Sequence, residues 1–169
     1  YRVMEEVYDI FSDKCRSISS IIQAPYMSEE EREGFLEEFN VPREGSFVGF
    51  CVMGGIFSEG IDLTEDRLIG AIIVGAGLPQ VCNEREIVKR YFHAEGTSGF
   101  DYAYLYPGMN KVLQSAGRVI RTETDRGMIL LLDERFSAWQ YRELFPREWS
   151  NNRYCTAETL GDYMKKFWE

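Results

Sequence analysis

Gln114, Arg118 and Arg121 are the side chains of this 169-residue sequence whose types and spacing could do chemistry together. A guanidinium carries a permanent charge and a planar fork of donors that matches phosphate geometry. A glutamine amide donates and accepts at once, which suits it to holding a water. All three lie in a segment from Pro107 to Arg121 in which Met109, Val112, Leu113, Ala116, Val119 and Ile120 recur at the spacing of one apolar helix face. At about 100° per residue the polar trio falls within an arc of roughly 60°, nearly opposite that face. Spacing alone also describes an amphipathic surface helix with a solvated basic face, the commoner outcome for such a pattern.

The elements around this helix must position it. Ile18 to Ala24, Phe47 to Met53, Leu68 to Val74 and Gly127 to Leu132 are short apolar runs that read as strands. Runs apolar at nearly every position predict strands covered on both faces, and their alternation with helices predicts parallel βαβ units, an α/β fold. Helices are predicted over Tyr1 to Lys14, from Ser28 with its capping partner Glu31 towards Phe39, over Asn83 to Ala94, and in short pieces over Phe136 to Phe145. A last helix capped by Thr156 is expected to turn Leu160, Tyr163, Met164 and Phe167 inward. Tyr102, Tyr104 and Tyr106 alternate ahead of Pro107, a pattern expected of a packed extended segment and also compatible with base stacking. Phe47 to Met53 runs into Gly54-Gly55-Ile56-Phe57-Ser58-Glu59-Gly60-Ile61-Asp62-Leu63, a glycine-rich loop at the carboxyl end of a strand, where α/β sheets gather ligands. Glycines after a strand also make ordinary turns.

Composition fits one soluble globular domain over residues 1–169. The hydrophobic fraction is 44%, no apolar run approaches the ~20 residues of a membrane span, and an intracellular, cytoplasmic setting is expected. Cys15, Cys51, Cys82 and Cys155 show no metal or redox spacing and are expected as reduced thiols, and His93 is the sole histidine. The net charge of −9 argues against a stand-alone nucleic-acid binder. Most of the excess acid lies in residues 1–45, which hold eleven acids against five bases, away from the Gln114 patch. The chain opens in a helix with no capping residue and no initiator methionine, which predicts an excised fragment that a further lobe would precede.

Gln-x-x-Gly-Arg-x-x-Arg, as Gln114, Gly117, Arg118 and Arg121, resembles motif VI of superfamily 2 helicases. Gly-Ile-Phe-Ser-Glu-Gly-Ile-Asp-Leu at 55–63 resembles motif V of the DinG/XPD branch, and Gln114 to Arg121 followed by Thr-Glu-Thr-Asp-Arg-Gly and Leu-Leu-Asp-Glu-Arg-Phe resembles its motif VI and closing strand. Both motifs stand in the expected order, and the resemblance covers almost the whole chain. It is similar to the second RecA-like lobe of a bacterial DinG-type helicase, a parallel sheet flanked by helices without a P-loop of its own.

The resemblance implies an ATP-driven helicase moving 5′ to 3′ on single-stranded DNA, with an N-terminal helicase lobe as partner and no membrane. By motif position, Arg121 would be the arginine finger, Arg118 a second phosphate contact, and Gln114 a group near the γ-phosphate or its attacking water. Gly60 and Asp62 would lie at the nucleotide cleft. Ser58 and Glu59 would couple that cleft to the DNA track, and the Gly54-Gly55 backbone would approach a DNA phosphate. The sequence has no Gly-x-x-x-x-Gly-Lys-Ser/Thr loop, no Asp-Glu-x-His box and no four-cysteine cluster. ATP and Mg2+ are therefore expected to be bound mainly by the first lobe, as is the iron–sulfur cluster that many members carry, and this chain alone is expected to be inactive. The competing class is a non-catalytic RecA-like module that binds nucleic acid or protein.

Overall fold

The computed structural model describes residues 1–55, 68–120, 122 and 124–169. Helix α1 (Arg2–Lys14) leads to strand β1 (Ser19–Ile22), helix α2 (Glu29–Glu37) and strand β2 (Phe47–Phe50). Strand β3 (Gly70–Val74) is followed by helices α3 (Asn83–Ala94) and α4 (Tyr106–Ala116), then strand β4 (Met128–Leu132), helix α5 (Trp139–Arg142) and helix α6 (Ala157–Trp168). The expected parallel pairing is present in two small sheets: β1 pairs β2 with Ser19 opposite Phe47, and β3 pairs β4 with Gly70 opposite Met128.

Local chemistry explains the first half. Ser28 caps α2 as its spacing predicts, its hydroxyl accepting from the Glu31 N–H at 3.2 Å while the Glu31 carboxylate accepts from the Ser28 N–H at 2.6 Å. That reciprocal bond holds the Glu31 carboxyl below its ordinary range. Tyr8 and Phe11 set their ring edges against Phe50 of β2, each at 5.3 Å between centroids. The remainder of the apolar side of α1, Val3, Val7 and Ile10, stays exposed.

The main core lies against one face of β3 and β4. Ile73 belongs to one cluster with Ala76, Leu105, Met109, Val112, Ala116, Phe136 and Tyr141, with Ile129 and Leu131 packed against it. Coverage on both faces, expected from the apolar runs, is not what β3 shows. Its odd face carries buried Ile73, whereas Ile72 and Val74 are 67% and 56% exposed. Pleating sends alternate side chains to opposite faces, and α4 covers one of them.

Tyr102, Tyr104 and Tyr106 are helical, not extended. Residues Asp101–Leu105 form a π-helical turn that runs directly into α4. At helical spacing Tyr104 points away from the other two. It is buried and donates to Glu86 of α3 at 2.7 Å, a bond that pushes its phenol up to about 12. Tyr102 and Tyr106 share the other side, where Tyr102 stacks on Phe92 at 3.9 Å. The π turn has a cause in Pro107, which has no N–H to give the Ala103 carbonyl four residues back and whose ring would crowd it. The Tyr106 N–H reaches back five residues to Asp101 instead, and the Ala103 carbonyl accepts from the Arg85 guanidinium at 3.4 Å.

Two further expectations are corrected at the C-terminal side. The helix predicted to run to Arg121 ends at Ala116, and Ile120, assigned to its core face, is 47% exposed. In α6, Leu160 and Phe167 are half-buried but Tyr163 and Met164 are exposed, because the helix borders a cavity shared with Met128, Ile129 and Leu130 of β4 instead of closing over the strand.

Asp133 ends β4 and caps the turn that follows, accepting from the Arg135 N–H at 2.9 Å and from its guanidinium at 2.8 and 2.6 Å. The hydrogen bond from the Arg135 side chain holds the Asp133 carboxyl below its ordinary range. A carboxyl lowered by folding adds stability above its unfolded value and loses it as pH falls through the folded one. Asp133→Asn should therefore flatten the acid limb of stability against pH, leaving a shallower fall in the urea midpoint below the ordinary carboxylate range than wild type shows.

Candidate functional site

Helix α4 lies across the carboxyl ends of β2 and β3, and glycines set both contacts. After β3 the chain turns through Gly75 and Gly77, with φ of +88° and +65°. A Cβ on Gly77 would come 2.7 Å from the Gly108 carbonyl, and one on Gly108 would come 2.7 Å from the Ala76 carbonyl. Backbone therefore packs on backbone at the first turn of α4. The second contact is one turn further along. Val52 to Gly55 closes a turn with Gly54 at φ +76°, and a Cβ there would come 2.7 Å from Cδ of Lys111. The Lys111 stem lies over Gly54.

Gln23 holds the approach to this turn. It is 5% exposed, accepts from the Val52 N–H at 2.8 Å and donates to the Tyr1 hydroxyl at 3.2 Å. A buried amide satisfied on both sides fixes the strand end that feeds the glycines. Its signal in the sequence was slight: one polar side chain closing the run Ser-Ser-Ile-Ile.

Among the predicted residues, Gln114 is exposed on the last turn of α4. Gly117 then caps the helix, its N–H accepted by the Leu113 carbonyl at 2.8 Å. Tight turns follow, with the Arg118 N–H on Ser115 and the Val119 N–H on Ala116. Arg118, half-buried, thus leaves a turn and not the helix, while Val119 still reaches the core at 4% exposure. Gly54 and Gly55 are half-buried, Gly54 against Lys111 of α4 and Gly55 against Val52 and Gln23. Ser58, Glu59, Gly60, Asp62 and Arg121 lie outside the described residues. The structure therefore brings the start of the glycine-rich loop to the helix that carries Gln114. Lys111 was missed, although it precedes Gln114 by three residues and so shares its side of the helix.

No group of three or more His, Cys, Asp or Glu among the described residues could hold a metal ion, and all four cysteines are free. No described helix is long and apolar enough to cross a membrane.

Comparison with known proteins places most of the chain in a defined family. Residues 1–152 match the model of the helicase C-terminal domain. The chain is 30% identical over 125 residues to the regulator of telomere elongation helicase 1 homolog of Caenorhabditis elegans, covering 68% of this chain and 12% of that protein. It is 29% identical over 153 residues to the ATP-dependent DNA helicase CHL1 of Debaryomyces hansenii, covering 77% and 18%. It is 37% identical over 89 residues to the ATP-dependent DNA helicase DinG of Photobacterium profundum, covering 52% and 13%. The chain thus spans less than a fifth of the length of these curated relatives. With a match running from the first helix through the turn that follows α5, the chain belongs to the helicase C-terminal domain family.

Proposed function

We propose that this chain works as the second RecA-like lobe of a two-lobed, ATP-driven DNA helicase of the DinG/XPD branch, moving 5′ to 3′ on single-stranded DNA. The observation that carries the reading is the seating of the Gly54 turn, which leads into the segment that resembles motif V, on α4 one helical turn before Gln114. The names of the relatives, ATP-dependent DNA helicases among them, support the same activity.

In this reading the site is shared. The first lobe holds ATP and Mg2+, together with the iron–sulfur cluster where the branch carries one. The second lobe brings Arg121 and Arg118 to the phosphates and Gln114 to the γ-phosphate or its attacking water. Charge that develops on the transferred phosphoryl group and its bridging oxygen is met by fixed guanidinium donors, which need little reorganisation during the reaction. Gly60 and Asp62 face the nucleotide, and Ser58 and Glu59 link it to the DNA track. The setting is the bacterial cytoplasm, at the nucleoid.

ATP turnover, with and without a single-stranded oligonucleotide, tests the proposal in a two-lobed protein carrying this lobe and in the lobe by itself. DNA-stimulated turnover is expected in the first and none in the second. Robust hydrolysis by the lobe alone would overturn the shared site. A two-lobed protein without DNA-stimulated turnover would favour the non-catalytic binding module.

A further inference from the structure

We propose that Lys111 is a phosphate contact for the bound single strand, made at the Gly54 turn and carried on the same helix as Gln114. The inference rests on the helicase reading above and adds a residue that neither motif contains.

Geometry singles out this lysine. A Cβ at Gly54 would lie 2.7 Å from Cδ and 2.9 Å from Cε of Lys111, so the stem fills the space that any other residue at 54 would need. The ammonium is one bond beyond Cε, within reach of the turn. Gly54 sits at a positive φ of +76°, and among the described residues its N–H has no acceptor. A lysine beside an open turn amide makes a paired donor set for one phosphate oxygen, a point charge with a directional N–H.

Charge and position point the same way. Among the described residues no carboxylate pairs with Lys111, in a chain of net charge −9. Lys111 is half-buried, with its stem against Gly54, and a lysine so placed favours keeping its charged head in water. It precedes Gln114 by three residues, about 4.5 Å along the helix axis, on the side of β2 and away from the end that carries Arg118. The Gly54 contact is what assigns Lys111 to the strand, while Gln114 and Arg118 keep the nucleotide roles proposed above. A strand phosphate held there would press on the helix that carries the nucleotide-facing glutamine, a direct mechanical link between the two ligands.

Lys111→Met separates the charge from the packing, because it keeps an unbranched stem over Gly54. In the two-lobed protein, binding of a fluorescent oligonucleotide is measured across a salt series for wild type, Lys111→Met, Lys111→Ala and Lys111→Arg, beside the ATP KM at saturating DNA. Lys111→Met should weaken binding roughly tenfold at moderate salt. It should also lower the slope of log affinity against log salt by about 0.7, the loss of one single-strand phosphate contact. Lys111→Arg should restore most of both, and the ATP KM should not move. An unchanged slope in Lys111→Met overturns the assignment. A defect confined to the ATP KM overturns it in favour of a nucleotide contact, and a defect in Lys111→Ala that is absent from Lys111→Met overturns it in favour of packing. Wild type that neither binds DNA nor shows stimulated turnover sinks the helicase reading itself, whereas a competent wild type beside an unaltered Lys111→Met sinks this inference alone.

Discussion

Arg121→Ala, made in a two-lobed protein carrying this lobe, should lower DNA-stimulated ATP turnover by roughly 10³-fold or more while the lobe's unfolding midpoint stays where it was. The size follows from what a finger does. Phosphoryl transfer leaves little covalent work for the protein, so removing one permanent charge from the developing γ-phosphate removes a large share of the catalysis. Arg121→Lys should recover little, because an ammonium lacks the planar fork that binds two phosphate oxygens at once. Steady-state turnover with saturating ATP and oligonucleotide, read beside thermal unfolding, checks both variants. Near-normal turnover in either would remove Arg121 from the mechanism.

Arg118 and Gln114 belong to the same proposal but are held differently from one another. Gln114 stands on a regular helical turn, and Arg118 follows the Gly117 cap on a tight turn whose next residue, Val119, is anchored in the core. That anchoring matters for function. A guanidinium on a frayed helix end would have to be ordered during each cycle, whereas one beside a buried valine begins near its working position.

The parts of this arrangement that sequence made legible are those set by local chemistry. The capping pair Ser28 and Glu31, the bounds of α3, and the parallel strand pairs all follow from residue type and short spacing. What stayed hidden depends on a partner distant in sequence. The apolar runs cannot say that only one face of β3 is covered, because the cover is α4, more than thirty residues later. The tyrosine trio reads as extended because alternation spans only three side chains, while Leu105, Gly108, Met109 and Val112 carry a helical period through and beyond them. For the site, glycines were visible as loop formers but not as the points where α4 is seated. Lys111 became visible as part of the site once Gly54 was found beneath its stem.

Gly77→Ala should be the most destabilising of the single-methyl additions at the glycines discussed, and its effect should reach the site through α4. Gly77 holds φ +65°, where a side chain costs about 1–2 kcal/mol. Its new methyl would also sit 2.7 Å from the Gly108 carbonyl, a backbone atom that cannot swing aside. With overpacking of about 1–3 kcal/mol added, a total of roughly 2–5 kcal/mol corresponds to a fall in unfolding midpoint of about 4–20 °C for a chain of this size. Gly34→Ala is the matched control. Gly34 lies inside α2 with nothing within 4 Å of the added methyl, so the change should stabilise by about 0.5–1 kcal/mol through helix propensity. Differential scanning calorimetry of the two variants separates backbone seating from the general cost of a methyl group. The functional readout sharpens the contrast with Arg121. Where Gly77→Ala survives as a folded protein, pushing α4 off the carboxyl end of β3 also lifts Lys111 from Gly54, so strand affinity and turnover should fall together. Loss of turnover alone, with strand affinity intact, would mean that the two glycine contacts do not act through one rigid helix.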